Sequence, residues 1–156
     1  MHIVFVEPEI PQNTGSTARL CAATGVPLHL VGKLGFRIDA AAVKRAGLDY
    51  WPHVTVLRHE NFDALRQDAG PGARFWLFTK RAAKIYTQVE YRPDDYLVFG
   101  AETRGLPDSL TAAYPEQCVR IPINNEAVRS LNLATAAGIA LYEALRQNNY
   151  SGIPEK

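Results

Sequence analysis

An α/β fold, a mostly parallel sheet flanked by helices, is what this sequence predicts, and three observations predict it. Short apolar runs recur along the chain, too continuous for strands with one solvated face. Stretches with helix-capping residues separate those runs, so that strand and helix alternate. The last helix, residues 133–147, has no polar side chain between Leu133 and Tyr142 except Thr135, and other elements must cover it.

Taken in order, residues 3–6 form the first strand. Asn13 or Thr14 caps a helix that runs to about Thr24 and ends at Gly25. Residues 28–31 are the second strand, with Gly32 and Gly35 in the loop behind it. Asp39 caps a helix through Arg45 that stops at Gly47. Residues 53–57 are strand-like, and Asn61 caps a helix through about Asp68. Gly70-Pro71-Gly72 turns the chain into a strand at 74–79, followed by a looser segment as far as Pro93 and a strand at 96–99. Pro107-Asp108-Ser109 opens a short helix to about Ala113, and residues 118–121 are the last strand. One domain spanning residues 1–156 is expected, a length that buries roughly 70% of the unfolded surface. The apolar arc of the closing helix is wider than one sheet requires, which deep burial or a subunit interface would explain; the small residues Ala134 and Gly138 favour a homodimer.

Composition excludes several classes. A hydrophobic fraction of 47% and a charged fraction of 21% are globular values. No stretch approaches the ~20 apolar residues of a membrane helix, and the start, Met1-His2-Ile3-Val4-Phe5-Val6-Glu7, lacks the basic region of a signal peptide. Cys21 and Cys118 are too few for a disulfide framework and read as buried thiols of a cytoplasmic protein. The net charge of +1 does not advertise a nucleic-acid binder. Residues 74–92, however, hold Arg74, Lys80, Arg81, Lys84 and Arg92 against the single anion Glu90: either a solvated edge or a phosphate-binding patch.

The common catalytic signatures are absent. There is no GxxxxGK[ST], GxGxxG or GxSxG pattern. His2, His29, His53 and His59 lack ligand spacing, two lone cysteines make no zinc site, and His59 reads as a surface residue; no metal is expected. Three polar loops at the ends of hydrophobic strands remain. They are Pro11-Gln12-Asn13-Thr14-Gly15-Ser16-Thr17-Ala18-Arg19, then Phe99-Gly100-Ala101-Glu102-Thr103-Arg104-Gly105-Leu106-Pro107, and then Arg120-Ile121-Pro122 with Arg129-Ser130-Leu131-Asn132-Leu133. In an open α/β sheet, ligands gather at such carboxyl ends.

In that order and spacing the three segments resemble the three motifs of the SPOUT methyltransferase superfamily, in its TrmH-like branch of RNA ribose 2′-O-methyltransferases. Arg45-Ala46-Gly47-Leu48-Asp49-Tyr50 and Glu7-Pro8-Glu9-Ile10-Pro11 bring the chain nearest the minimal TrmL subfamily, which modifies cytidine or uridine at the tRNA wobble position. The resemblance implies a C-terminal trefoil knot, an exception to the rule of unknotted chains, and a cytoplasmic homodimer acting on the tRNA anticodon stem-loop. It implies S-adenosylmethionine (AdoMet) as methyl donor, S-adenosylhomocysteine as product and no metal. By matching position, Leu77, Phe78, Thr79, Gly100, Glu102, Ile121, Ser130 and Leu131 would hold the cofactor. Arg19, Asn13, Ser130 and Asn132 would be the catalytic residues, with Arg19 in the place of the family's proposed general base.

Overall fold

The computed structural model describes residues 1–38, 51–124 and 127–154. The helix expected from Asp39 to Arg45, and the 45–50 stretch of the resemblance, lie outside the described residues.

Among the described residues seven strands make one sheet: β1 (His2–Val6), β2 (Leu28–Val31), β3 (Val56–His59), β4 (Phe75–Phe78), β5 (Lys84–Ile85), β6 (Tyr96–Phe99) and β7 (Cys118–Arg120). The spatial order is β3-β2-β1-β6-β4-β7-β5, and every pairing is parallel. Parallel strands carry helices on both faces and so are apolar on both, and β1, β2 and β6 are buried almost throughout. Ile3, Phe5, Leu28, Leu30, Leu97 and Phe99 point into one core cluster; Val4, Val6, Val31, Leu77, Val98 and Cys118 point into the other. Both cysteines are buried free thiols, and burial pushes Cys21 up to about 12.

Helix α1 (Pro11–Thr24) begins earlier than expected, because Pro11 occupies the first helical turn, where its missing N–H costs nothing. Asn13 and Thr14 therefore lie inside the helix, and neither caps it. Gly25 closes it in the left-handed conformation at φ 69°. Helix α2 (Phe62–Ala69) is capped as expected, Asn61 Oδ1 accepting from the Ala64 N–H at 2.9 Å. Helix α3 (Asp108–Ala113) and helix α4 (Leu133–Gln147) have the expected extents.

Two differences have local causes. Residues 51–53 form a 3-10 turn, which moves β3 to Val56–His59 instead of 53–57. The segment after Thr79 holds the short edge strand β5, whose two residues give no periodic signal. Helix α4 packs Ala137, Leu141, Ala144 and Leu145 into the first cluster against α1 and β6. That burial accounts for most of its apolar arc and leaves Tyr142, 48% exposed, beside the half-buried Gly138 and Ile139.

Candidate functional site

The carboxyl ends of β4, β6 and β7 open into a cleft of about 720 Å³. Its walls are the three polar loops. β4 delivers Phe78 and Thr79, β6 delivers Gly100 and Glu102, and the chain after β7 delivers Ile121, Ser130, Leu131 and Asn132, while Ile10 and Asn13 come from the start of α1. The floor is apolar, with Phe78, Phe99, Leu133 and Ala136, and Phe78 stacks on Phe99 at 4.6 Å between ring centroids.

One carboxylate and two amides tie the three loops together. Glu102 accepts from the Glu9 N–H at 2.7 Å, the Ile10 N–H at 3.0 Å and Asn13 Nδ2 at 3.0 Å. Helix α1 has no side-chain cap of its own, so Glu102 satisfies N–H groups at its entrance and sets a negative charge at its positive end. Asn13 is 7% exposed; its Oδ1 accepts from Asn132 Nδ2 at 2.8 Å, and Asn132 Oδ1 in turn caps α4 through the Thr135 N–H at 3.2 Å. The side chain of Asn13 is thus the link between second and third loops, and it caps no helix.

A second clasp went unseen in the sequence. Glu9 accepts from the Thr103 N–H at 3.1 Å and from Thr103 Oγ1 at 2.7 Å, while the Glu9 N–H donates to Glu102. Those hydrogen bonds, aided by Arg104, hold the Glu9 carboxyl below its usual range. Arg104 also reaches Glu7 at 3.1 Å. No local pattern signals contacts between residues so far apart in the chain.

Most residues expected at the site meet at the cleft: Asn13, Phe78, Thr79, Gly100, Glu102, Ile121, Ser130, Leu131 and Asn132 all line it. Two do not. Leu77 is wholly buried in the opposite-face cluster, because alternation along β4 turns its side chain away from Phe78. Arg19 lies on the exposed side of α1, six residues or about 9 Å of helix rise beyond Asn13, and is not part of the cleft wall of its own chain. Lys80 and Arg81 of the basic stretch, and Arg104 and Arg129 of the polar loops, also line the cleft, as do Asp108 and Thr111, which the sequence did not single out.

His59 is not a surface residue. It is 9% exposed and belongs to a chain of rings across three strands. His2 Nδ1 meets His29 Nε2 at 3.0 Å, His29 Nδ1 meets His59 Nε2 at 2.9 Å, and His59 Nδ1 meets Asp68 Oδ2 at 3.0 Å. With Asp68 ionised, each neutral ring donates through Nδ1 and accepts at Nε2. Burial lowers His29 to about 3 and His2 to about 4, so both are neutral at pH 7. This ladder lies on the α2 side of the sheet, and none of its members lines the cleft.

Among the described residues no group of three or more His, Cys, Asp or Glu is placed to hold a metal ion, and no helix is long and apolar enough to cross a membrane. The model of the SpoU rRNA Methylase family matches residues 1–142. The chain belongs to the SpoU methylase family. Relatives within it are similar over their whole length. The tRNA (cytidine(34)-2'-O)-methyltransferase of Escherichia coli strain K12 is 45% identical over 153 residues, which cover 97% of this chain and 96% of that one. A solved structure concerned with the 2-OH methylation of C/U34 on tRNA has a TM-score of 0.86 and 48% identity, covering 95% of each chain. The SpoU methyltransferase AviRb from Streptomyces viridochromogenes, solved in complex with AdoMet, has a TM-score of 0.79 and 25% identity; it covers 96% of this chain, which spans 60% of AviRb.

Proposed function

We propose that this SpoU family protein is an AdoMet-dependent methyltransferase that modifies the ribose 2′-hydroxyl of the wobble nucleotide, cytidine or uridine 34, in the tRNA anticodon loop. The observation that carries the reading is the cleft at the ends of β4, β6 and β7, closed by the Glu102–Asn13–Asn132 hydrogen bonds that lock the three loops together. Near-full-length likeness to the E. coli enzyme named for that reaction supports the same substrate. AviRb, the structural neighbour holding AdoMet, supports the same cofactor.

The residues present fit that cofactor. The apolar surfaces of Phe78, Ile121 and Leu131 suit an adenine ring, and backbone N–H and C=O groups of the surrounding loops are available to its edge. Bound AdoMet would supply a methyl group on a sulfonium sulfur, an electrophile that needs no metal. Phe78, Thr79, Gly100, Ile121, Ser130 and Leu131 would hold it, while Glu102 acts by fixing the loop it stands on. Asn13 and Asn132 keep the loops in register, so that nucleophile and methyl meet in line; such alignment is worth several kcal/mol. As the 2′-oxygen bonds to the methyl carbon, the carbon–sulfur bond breaks and the hydroxyl proton must leave. Arg19 is a poor acceptor, since a guanidinium stays protonated in proteins. Its role is to hold the ribose and an adjacent phosphate, and that phosphate or water takes the proton.

Arg19 lies outside the cleft wall of its own chain, and in this reading the protein is a homodimer in which the partner's Arg19 completes each cleft. The exposed sides of α1 and α4 support that dimer: the two helices pack together, Leu20 lying 3.8 Å from where a side chain on Gly138 would begin, and both Arg19 and Tyr142 are exposed. One SPOUT domain spanning 1–156, a trefoil knot in its C-terminal half and a cytoplasmic site of action belong to the same proposal. The parallel order β6-β4-β7, with α4 returning onto β6, supports the knot.

Nucleoside mass spectrometry of tRNA incubated with the protein and AdoMet tests the reading. Expected is 2′-O-methylation at nucleotide 34; methylation confined to ribosomal RNA, or AdoMet binding without transfer, would replace it. Arg19→Ala, which removes the group that positions the ribose, should lower the rate by about 10²-fold with AdoMet affinity unchanged.

A further inference from the structure

Residues 74–92 are electrostatically quieter than their composition. Arg74 pairs with Asp95 at 3.2 Å, Arg81 with Asp108 at 2.7 Å and Lys84 with Glu116 at 2.8 Å. On the neighbouring loop Arg104 is shared by Glu7 and Glu9. Every one of these carboxylates lies outside the stretch, which is why counting charges within it misleads. A cation already beside a carboxylate presents little net charge to a polyanion, and a phosphate must displace or share the existing partner.

Two cleft cations differ. Lys80 follows Thr79 at the end of β4, and Arg129 precedes Ser130; both are exposed and both line the cleft. Among the described residues neither has a carboxylate within ion-pair distance. Each is covalently next to a residue proposed to touch the cofactor, so a phosphate held by either is fixed relative to the reacting centre.

We propose that Lys80 and Arg129 are the phosphate seat of this cleft, holding the RNA backbone next to the acceptor ribose, while Arg81 and Arg104, held by Asp108, Glu7 and Glu9, contribute little to RNA affinity. The proposal rests on the ribose-methylation reading and names which cations of that site meet the substrate. Phosphate contacts carry register and orientation, not sequence. They also leave a measurable mark, because each contact to a single strand releases counterions and adds about 0.7 to the slope of log affinity against log salt.

The test measures binding of unmodified tRNA to the full chain across a salt series, with S-adenosylhomocysteine present to prevent turnover. Lys80→Ala and Arg129→Ala are each expected to reduce the slope by about 0.7, and the double variant by about 1.4. Arg66→Ala removes an equal charge outside the cleft and should leave the slope unchanged. Asp108→Asn releases Arg81 and should make the slope steeper. Unaltered S-adenosylhomocysteine affinity in Lys80→Ala shows that the cleft is intact. An unchanged slope in the double variant, or an Arg81→Ala loss as large as that of Lys80→Ala, overturns the proposal. Failure of the parent to methylate nucleotide 34 is a separate result that strikes the ribose-methylation reading, whereas the slopes judge the phosphate seat.

Discussion

Gly100 is the residue with the least room to change. A side chain there would drive its first carbon into the backbone of Gly105 and Leu106, because the chain doubles back after β6 and the Gly105 N–H donates to the Ala101 carbonyl at 2.8 Å. Backbone cannot swing aside as the end of a long side chain does, so Gly100→Ala must displace the loop that carries Glu102. The expected cost is about 1–3 kcal/mol of stability, with AdoMet affinity lowered by about tenfold or more. Thermal unfolding and calorimetry check both, and parent values in the variant would show that the loop has slack. Gly100 was legible in the sequence because its reason is local: a glycine at a strand end, ahead of a turn. Asn13 and Asn132 were legible as site residues but not as partners of each other, since their hydrogen bond joins positions 119 apart. Leu77 shows what a motif matched by position leaves out: it gives the chain's path but not which way a strand side chain points, and with its side chain on the opposite face Leu77 can offer a ligand only its backbone.

At the scale of elements, the strands were the most legible feature because burial on both faces writes a continuous apolar run. The strand at residues 28–31 and the helix at 133–147 have the expected bounds; β5 was not seen because two residues carry no period. The histidine ladder was invisible for a related reason. It runs diagonally from the start of β1 through the middle of β2 to the end of β3, and strand register, not sequence spacing, aligns its rings. Its consequence is a dependence of stability on pH. The folded chain holds His2 and His29 below the 6.5 of a free imidazole, chiefly by burial. Below pH 6.5 the unfolded chain therefore binds protons that the folded chain refuses, and stability falls as pH drops towards 4. Glu9, Glu116 and Glu143, lowered from 4.5, add their own loss only at more acid pH. In the window from 6.5 to 4.5 the histidines therefore act together with the terminal amine, itself lowered from 8.0 chiefly by burial, and a histidine variant is needed to separate the two. The melting temperature is expected to fall steadily across that window in the parent, and less steeply in His29→Leu, whatever that variant's absolute stability. Equal slopes would remove the ladder as the cause.

At the scale of the whole molecule, the dimer reading turns on whose Arg19 completes a cleft. In a two-fold dimer the same patch of both subunits forms the interface, so each cleft receives the same residues from its partner. Mixing two inactive variants reads this directly. Arg19→Ala keeps an intact cleft, and Gly100→Val keeps an intact Arg19 but loses the cleft. If Arg19 acts across the interface, a mixed dimer has one working site: the cleft of the Arg19→Ala chain served by the Arg19 of the Gly100→Val chain. Random re-association of equal amounts makes about half the dimers mixed, with one good site of two in each, so activity should return to about one quarter of the parent's. If Arg19 serves its own chain, both sites of every mixed dimer are defective and no activity returns. Sedimentation of each variant alone must first show a dimer that exchanges subunits; a monomer at working concentration would end the dimer proposal before mixing begins. A recovery near one quarter would explain why Arg19 stands outside the cleft of its own chain while Asn13, on the same helix, links two of its walls.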